Sequence, residues 1–179
     1  MKRPRTILVI EDGTEYTDAF RNLGSGATFG VSGRITPKDA PDPIELVRAA
    51  DFEEARRVLA ERAVDAVFLD VVFDRIASEA LVGDREGLIR RFGGDRRRAE
   101  RHLAENQGFY LLNELAPLLP DGIPVVIAYD FSAEPERLAA LRRRCAQLSG
   151  LADGTPISTV MAGLFADRLD RKGKTGSGA

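Results

Sequence analysis

Two apolar runs in this sequence end in acid. Thr6-Ile7-Leu8-Val9-Ile10 stops at Glu11-Asp12-Gly13, and Ala66-Val67-Phe68-Leu69 stops at Asp70. Short unbroken apolar runs read as strands buried on both faces of a parallel sheet. In such a sheet all strands end along one edge, where ligands bind, so Glu11, Asp12 and Asp70 are expected to converge there. Carboxylates brought together repel unless a hard divalent cation takes their oxygens, and Mg²⁺ is the usual one. The plainer alternative is that each is a solvated loop residue.

A second charged feature lies between residues 84 and 101. Seven arginines (85, 90, 91, 96, 97, 98 and 101) stand against four acids (84, 86, 95 and 100), a local +3 on a chain of net charge -2. Two readings are open. The arginines form a solvated helix face held by i,i+4 pairs such as Arg96 with Glu100 and Arg101 with Glu105, or Arg96, Arg97, Arg98 and Arg101 bind an anion or a partner over the acidic edge. Nucleic acid is not the expected partner: the overall charge is slightly negative and no aromatic residues interleave with the arginines.

Other chemistry is thin. One cysteine, Cys145, excludes an internal disulfide, and with one histidine, His102, it excludes a Cys- or His-rich metal site, so any metal must be held by oxygen. Phosphate-cradling glycine loops and Ser/His/Asp groupings are missing; Gly24-Ser25-Gly26 follows a helix, not a strand. His102 reads as a helix-surface residue and Cys145 as part of a helix facing the sheet.

The elements that must position the acids follow from periodicity. After the first strand, Glu15 to Asn22 suits a short helix capped near Thr14 and stopped by Gly24. Residues 24 to 43, with four glycines and three prolines, read as an inserted loop with room for a small hairpin. Ile44 to Ala49 reads as a strand, Phe52 to Arg62 as a helix capped by Asp51, and Val125 to Ala128 as a further buried strand. The 54 residues between Asp70 and that strand exceed one crossover helix. They are read as an insertion over about 71–107, with a helix near Glu86 to Phe92 and another from about Asp95 to Leu119 in which Gly108 is a weak point. Pro135 to Leu148 reads as helix, Thr155-Pro156 as the start of another, and the tail from Lys172 as disordered.

At 179 residues, with 44% hydrophobic and 30% charged, the chain has the length and composition of one globular domain, read as residues 1–171. No stretch reaches the length of a membrane span, and the four aliphatic residues Ile7 to Ile10 are too few for a signal-peptide core, so a cytoplasmic protein is expected. The alternation of strands and helices calls for an α/β sandwich on a parallel sheet.

Ile7-Leu8-Val9-Ile10-Glu11-Asp12, Val64-Asp65-Ala66-Val67-Phe68-Leu69-Asp70 and Ile123-Pro124-Val125-Val126-Ile127-Ala128 resemble the first, third and fourth strands of a response-regulator receiver domain. Gly108-Phe109-Tyr110-Leu111-Leu112 is similar to the glycine-led start of the receiver's third crossover helix. The resemblance covers about three-fifths of the chain. It implies a CheY-like, flavodoxin-like, doubly wound fold with helices on both faces. It also implies Asp70 as phosphoacceptor, with Glu11, Asp12 and Asp70 around Mg²⁺, in bacterial two-component or phosphorelay signalling with a partner such as a histidine kinase. A carboxylate attacks the phosphoryl donor, the cation neutralises the gathering charge, and a lysine and a hydroxyl complete the oxygen shell.

The sequence departs from that pattern in two places. The switch hydroxyl falls on Tyr129, followed by Asp130, with Ser132 displaced. No fifth strand ending in Lys-Pro is evident, and no lysine occurs between Lys38 and Lys172. An atypical receiver, or pseudo-receiver, is therefore expected: a stand-alone module acting through protein contacts, with phosphorylation at Asp70 impaired and no enzymatic role beyond self-phosphorylation. Reversal of Arg96, Arg97, Arg98 and Arg101 is expected to abolish partner binding, and Asp70→Asn to change it little. The alternative is a Mg²⁺-dependent phosphohydrolase or an anion- or nucleotide-binding module on the same fold. Haloacid-dehalogenase-type phosphohydrolases resemble Asp-x-Asp after such a strand, but two residues beyond Asp70 stands Val72.

Overall fold

The computed structural model describes residues 3, 5–24, 44–152, 154–156, 159 and 160. The expected insertion at 24–43 and the tail from 172 lie, except for Gly24, outside them. In chain order the elements are β1 (Arg5–Ile10), α1 (Glu15–Gly24), β2 (Ile44–Ala49), α2 (Phe52–Glu61), β3 (Ala66–Leu69), α3 (Arg85–Arg91), α4 (Arg96–Glu105), α5 (Gln107–Leu115), β4 (Val125–Ile127), α6 (Pro135–Arg142) and β5 (Leu148–Gly150). Five strands form one sheet in the order β2-β1-β3-β4-β5. Every pair is parallel, with Ile10 level with Leu69 and Leu69 level with Ile127.

The register puts the ends of β1, β3 and β4 on one edge. Ile7, Leu8, Val9 and Ile10 are wholly buried, as are Ala66 and Phe68, which is why their runs show no polar alternation. The sheet is covered on both faces. On one, Leu8, Ile10, Val67 and Leu69 pack with α2 and α5 through Ala55, Leu111, Leu112 and Leu115. On the other, Ile7, Val9 and Phe68 pack with Phe20 of α1 and with Val160. This is the flavodoxin-like doubly wound arrangement expected from the sequence.

Three expectations need correction. A fifth strand exists: β5 pairs with β4 from Val125↔Leu148 to Ile127↔Gly150. The helix expected over 135–148 stops at Arg142, so that Cys145 and Leu148 enter the core. The single helix expected over 95–119 is two, because the chain breaks at Asn106 before Gln107 restarts it. Gly108 is not the weak point. It is buried where a side-chain carbon would collide with the carbonyl oxygen of Asp70 and the Cα of Val71, and its N–H donates to the Val71 carbonyl at 3.0 Å. Glycine lets α5 lie directly on the chain leaving β3.

The segment after β3 builds an arm of its own. Asp84 caps α3 and Asp95 caps α4, each accepting a backbone N–H. Gly93 and Gly94, both at positive φ, turn one helix into the other. Leu88, Ala99 and Leu103 make a small separate core with Leu81, Ile89, Phe92 and Tyr110.

Candidate functional site

Asp70 follows β3 directly. Its N–H donates to the Ile10 carbonyl at 2.9 Å, and its Oδ1 accepts the Val71 N–H at 2.7 Å. Burial pushes its carboxyl up to about 6 against the two backbone N–H groups that hold it down, and the charges of Asp12 and Glu11 add to the rise. Asp70 is thus a half-buried acid beside two like charges.

Glu11 has a different task from that expected. It is wholly buried, and its two carboxylate oxygens accept the N–H groups of Tyr16 at 2.9 Å and Thr17 at 2.7 Å, in the first turn of α1. A carboxylate there satisfies orphan amides and complements the helix dipole. Asp12 turns outward: its Oδ2 accepts the main-chain N–H of Arg75 at 2.6 Å. Among the described residues no three acidic, histidine or cysteine side chains come together as a metal cage. The donor set fits Mg²⁺ as a two-carboxylate site: Asp12 and Asp70 would hold the cation, which would neutralise charge at a phosphoryl group. Hard oxygen donors and a half-buried carboxyl beside a second carboxylate suit such an ion.

Two arginines lie beside Asp12, and neither was legible as a site residue. Arg48, at the end of β2, donates from Nε to the Gly13 carbonyl and from a terminal nitrogen to the Asp12 carbonyl at 3.1 Å. Arg75, on the loop after β3, forms an ion pair with Glu15. An arginine in a loop carries no periodic signal. Arg48 shares its strand with a second charge, Glu45, and so did not stand out either.

The β4 end is built otherwise. The Tyr129 hydroxyl donates to Glu134, and Arg137 reaches Glu134 at 3.0 Å and the Tyr129 oxygen at 3.4 Å. The Arg137 guanidinium lies 3.8 Å from the Phe109 ring centroid, and Tyr129 meets Phe109 and Phe131 edge-on at 5.1 and 4.8 Å. The Glu134 bond raises the phenol above its ordinary range and lowers the carboxyl. Asp130 accepts both the N–H and the hydroxyl of Ser132, which uses the displaced serine in a local turn. Past β5 stand Leu151 and Ala152; the Leu151 N–H donates to the carbonyls of Ile127 and Tyr129. A cleft of about 150 Å³ opens there between Tyr16, Ala128, Asp130, Leu151 and Thr155.

In the arm, Arg96, Arg97, Arg98 and Arg101 are exposed. Arg98 lies over the Phe92 ring at 4.7 Å, and the His102 ring meets the same Phe92 edge-on. Among the described residues no ion pair joins Arg96 to Glu100 or Arg101 to Glu105. The solvated face is there; the i,i+4 pairs expected to hold it are not.

No protein-family model matches the chain, and no curated protein matches it in sequence. Its fold does match solved structures. A CheY-like response regulator receiver domain protein from Methanospirillum hungatei JF-1 superposes with a TM-score of 0.54 at 13% identity, covering 97% of this chain and 100% of that one. The receiver domain of the Francisella response regulator 1452 gives 0.52 at 13% identity, with 95% and 99% covered. A Burkholderia pseudomallei response regulator solved with a phosphorylated aspartic acid, calcium ion and citrate gives 0.51 at 14% identity, with 98% and 76% covered. The fold is the response-regulator receiver fold, as the strand motifs implied.

Proposed function

We propose that this chain is an atypical receiver module of bacterial two-component-type signalling, acting in the cytoplasm through protein contacts. Asp70 is its phosphoacceptor, and Mg²⁺ is held by Asp12 and Asp70. The observation that carries the reading is the pairing of Ile10 with Leu69 in a 2-1-3-4-5 sheet, which sets Asp12 and Asp70 at one edge with Asp70 half-buried and its carboxyl raised. The phosphorylated aspartate and calcium of the Burkholderia regulator support it by analogy of fold.

Phosphorylation switching is impaired in this reading. The hydroxyl at the end of β4 is engaged by Glu134 and Arg137, and β5 ends without a cation. The phosphoryl group loses a charge-assisted partner worth roughly 1.5–3 kcal/mol. Output is carried by the arm: Arg96, Arg97, Arg98 and Arg101 face solvent, have no carboxylate partner among the described residues, and can meet an anionic partner such as a kinase or a downstream protein. That same exposure favours the second reading, an anion- or nucleotide-binding module on this fold.

The test is a titration with Mg²⁺ and a small phosphodonor, with covalent phosphate read by mass spectrometry. Asp70-dependent labelling that is slow and needs millimolar Mg²⁺ is expected. No labelling of wild type at any Mg²⁺ concentration, with nucleotide binding retained, would favour the second reading.

A further inference from the structure

Phosphoryl oxygens on an aspartate carry more negative charge than one divalent cation neutralises, and a fixed donor cation is the usual complement. The end of β5 supplies none, since Leu151 there packs with the apolar cluster under Tyr16. Arg75 is placed to do so. Its main-chain N–H is bonded to Asp12 Oδ2, which roots residue 75 beside Asp12, the neighbour of Asp70 on the same edge. Its guanidinium lies against Gly13, where a side-chain carbon would collide with it. Its partner Glu15 is 59% exposed and Arg75 itself 57%, so the pair is weakly held and easily exchanged. Arg48, by contrast, is half-buried on the carbonyls of Asp12 and Gly13 and holds the loop beneath.

We propose that Arg75 is the cation that contacts the phosphoryl group on Asp70, leaving Glu15 to do so. The inference rests on Asp70 being the phosphoacceptor. In the step, a lone pair on an Asp70 carboxylate oxygen forms the new O–P bond while the P–O bond to the leaving group breaks. That group, acetate when acetyl phosphate is the donor, departs with the bonding pair. The guanidinium fork donates to the phosphoryl oxygens during transfer and stays with the acyl phosphate afterwards. Glu15 and the phosphoryl group then compete for one cation. The consequence is a change of route: Arg75 lies on the segment that leads into the arm, where Arg85 is bonded to the Ser78 carbonyl. Recruitment of Arg75 is therefore felt in α3 and α4 and not at Tyr129.

The test compares wild type, Arg75→Ala, Arg75→Lys and Glu15→Gln in titrations with beryllofluoride at saturating Mg²⁺, followed by fluorine NMR with Asp70→Asn as blank. Arg75→Ala is expected to bind about tenfold more weakly and Arg75→Lys to recover part of the loss. Glu15→Gln, which frees the guanidinium, is expected to bind severalfold more tightly. A purely structural ion pair predicts instead that Arg75→Ala and Glu15→Gln behave alike, because each removes the same bond. Equal binding by wild type and Arg75→Ala, or equal weakening in both, overturns the role of Arg75 and leaves Asp70 as phosphoacceptor. Absence of Asp70-dependent binding in wild type overturns both.

Discussion

The two halves of the sheet's functional edge are built on different physics. Around β1 and β3 the side chains are charged: half-buried Asp12 and Asp70, and the exposed, easily exchanged pair of Arg75 and Glu15. Beyond β4 the Tyr129 side chain is packed among rings, with Tyr129, Phe109 and Phe131 meeting edge-on under Arg137 and Tyr129 tied by Glu134. A phosphoryl group needs both a place to bind and an element that answers. In the proposed reading the first half keeps the place and the second is engaged by Glu134 and Arg137, so the answering element is the arm that leaves β3.

The steepest way to break this comparison is through glycine. Gly108→Ala pushes a methyl into the backbone of Asp70 and Val71, which cannot step aside, whereas Gly150→Ala meets the Tyr129 carbonyl and the edge of the Phe131 ring. Over-packing typically costs 1–3 kcal/mol. Gly108→Ala is expected near 3 kcal/mol and Gly150→Ala near 1–2 kcal/mol, measured by urea unfolding. Equal losses would mean the closed half is as rigid as the backbone under Asp70.

Next in size is the lock itself. Arg137→Ala removes the guanidinium from Phe109 and from Tyr129, an expected loss of about 1–2 kcal/mol, with a change in tyrosine near-UV dichroism. Mg²⁺ affinity at Asp12 and Asp70 should stay within twofold. A large drop in Mg²⁺ affinity would show that the two halves are coupled after all.

Asp70 sharpens the comparison through pH. Its folded pKa, about 6, lies above the ordinary value of 3.8, so between those values the native state binds more protons than the unfolded state and stability falls as pH rises. Discounted for its partial exposure, the loss is of order 1–2 kcal/mol, complete above about pH 7 and absent below about pH 3. Asp70→Asn should be more stable than wild type by that amount at pH 7.5 and nearly equal to it at about pH 3. Mg²⁺ should narrow the gap at pH 7.5. The smallest effect belongs to the arm: glutamates at positions 96, 97 and 101 should change stability by less than about 0.5 kcal/mol, because these arginines are exposed, while abolishing partner binding.

The sequence was most readable where burial is two-sided. The apolar runs Ile7 to Ile10 and Ala66 to Leu69 can only be interior strands, and their acidic ends fixed the place of Asp12 and Asp70. Leu148–Gly150 was unreadable because three residues, one a serine and one a glycine, carry no pattern; pairing with β4 makes them a strand. Glu11 looked like a ligand because a buried helix cap and a metal ligand are the same carboxylate in sequence. Asn106 gave no warning of a break, since the apolar spacing from Leu103 to Leu119 runs through it. Arg75 was hidden for the opposite reason, being a loop residue placed by a single main-chain bond to Asp12.

The most direct measurement is an amide chemical-shift map of the protein with and without beryllofluoride and Mg²⁺. The account predicts shifts at residues 12–16 and 70–78, carried into α3 and α4, with 125–137 and 148–151 nearly still. Shifts concentrated at Tyr129, Glu134 and Arg137, with the arm unmoved, would contradict it.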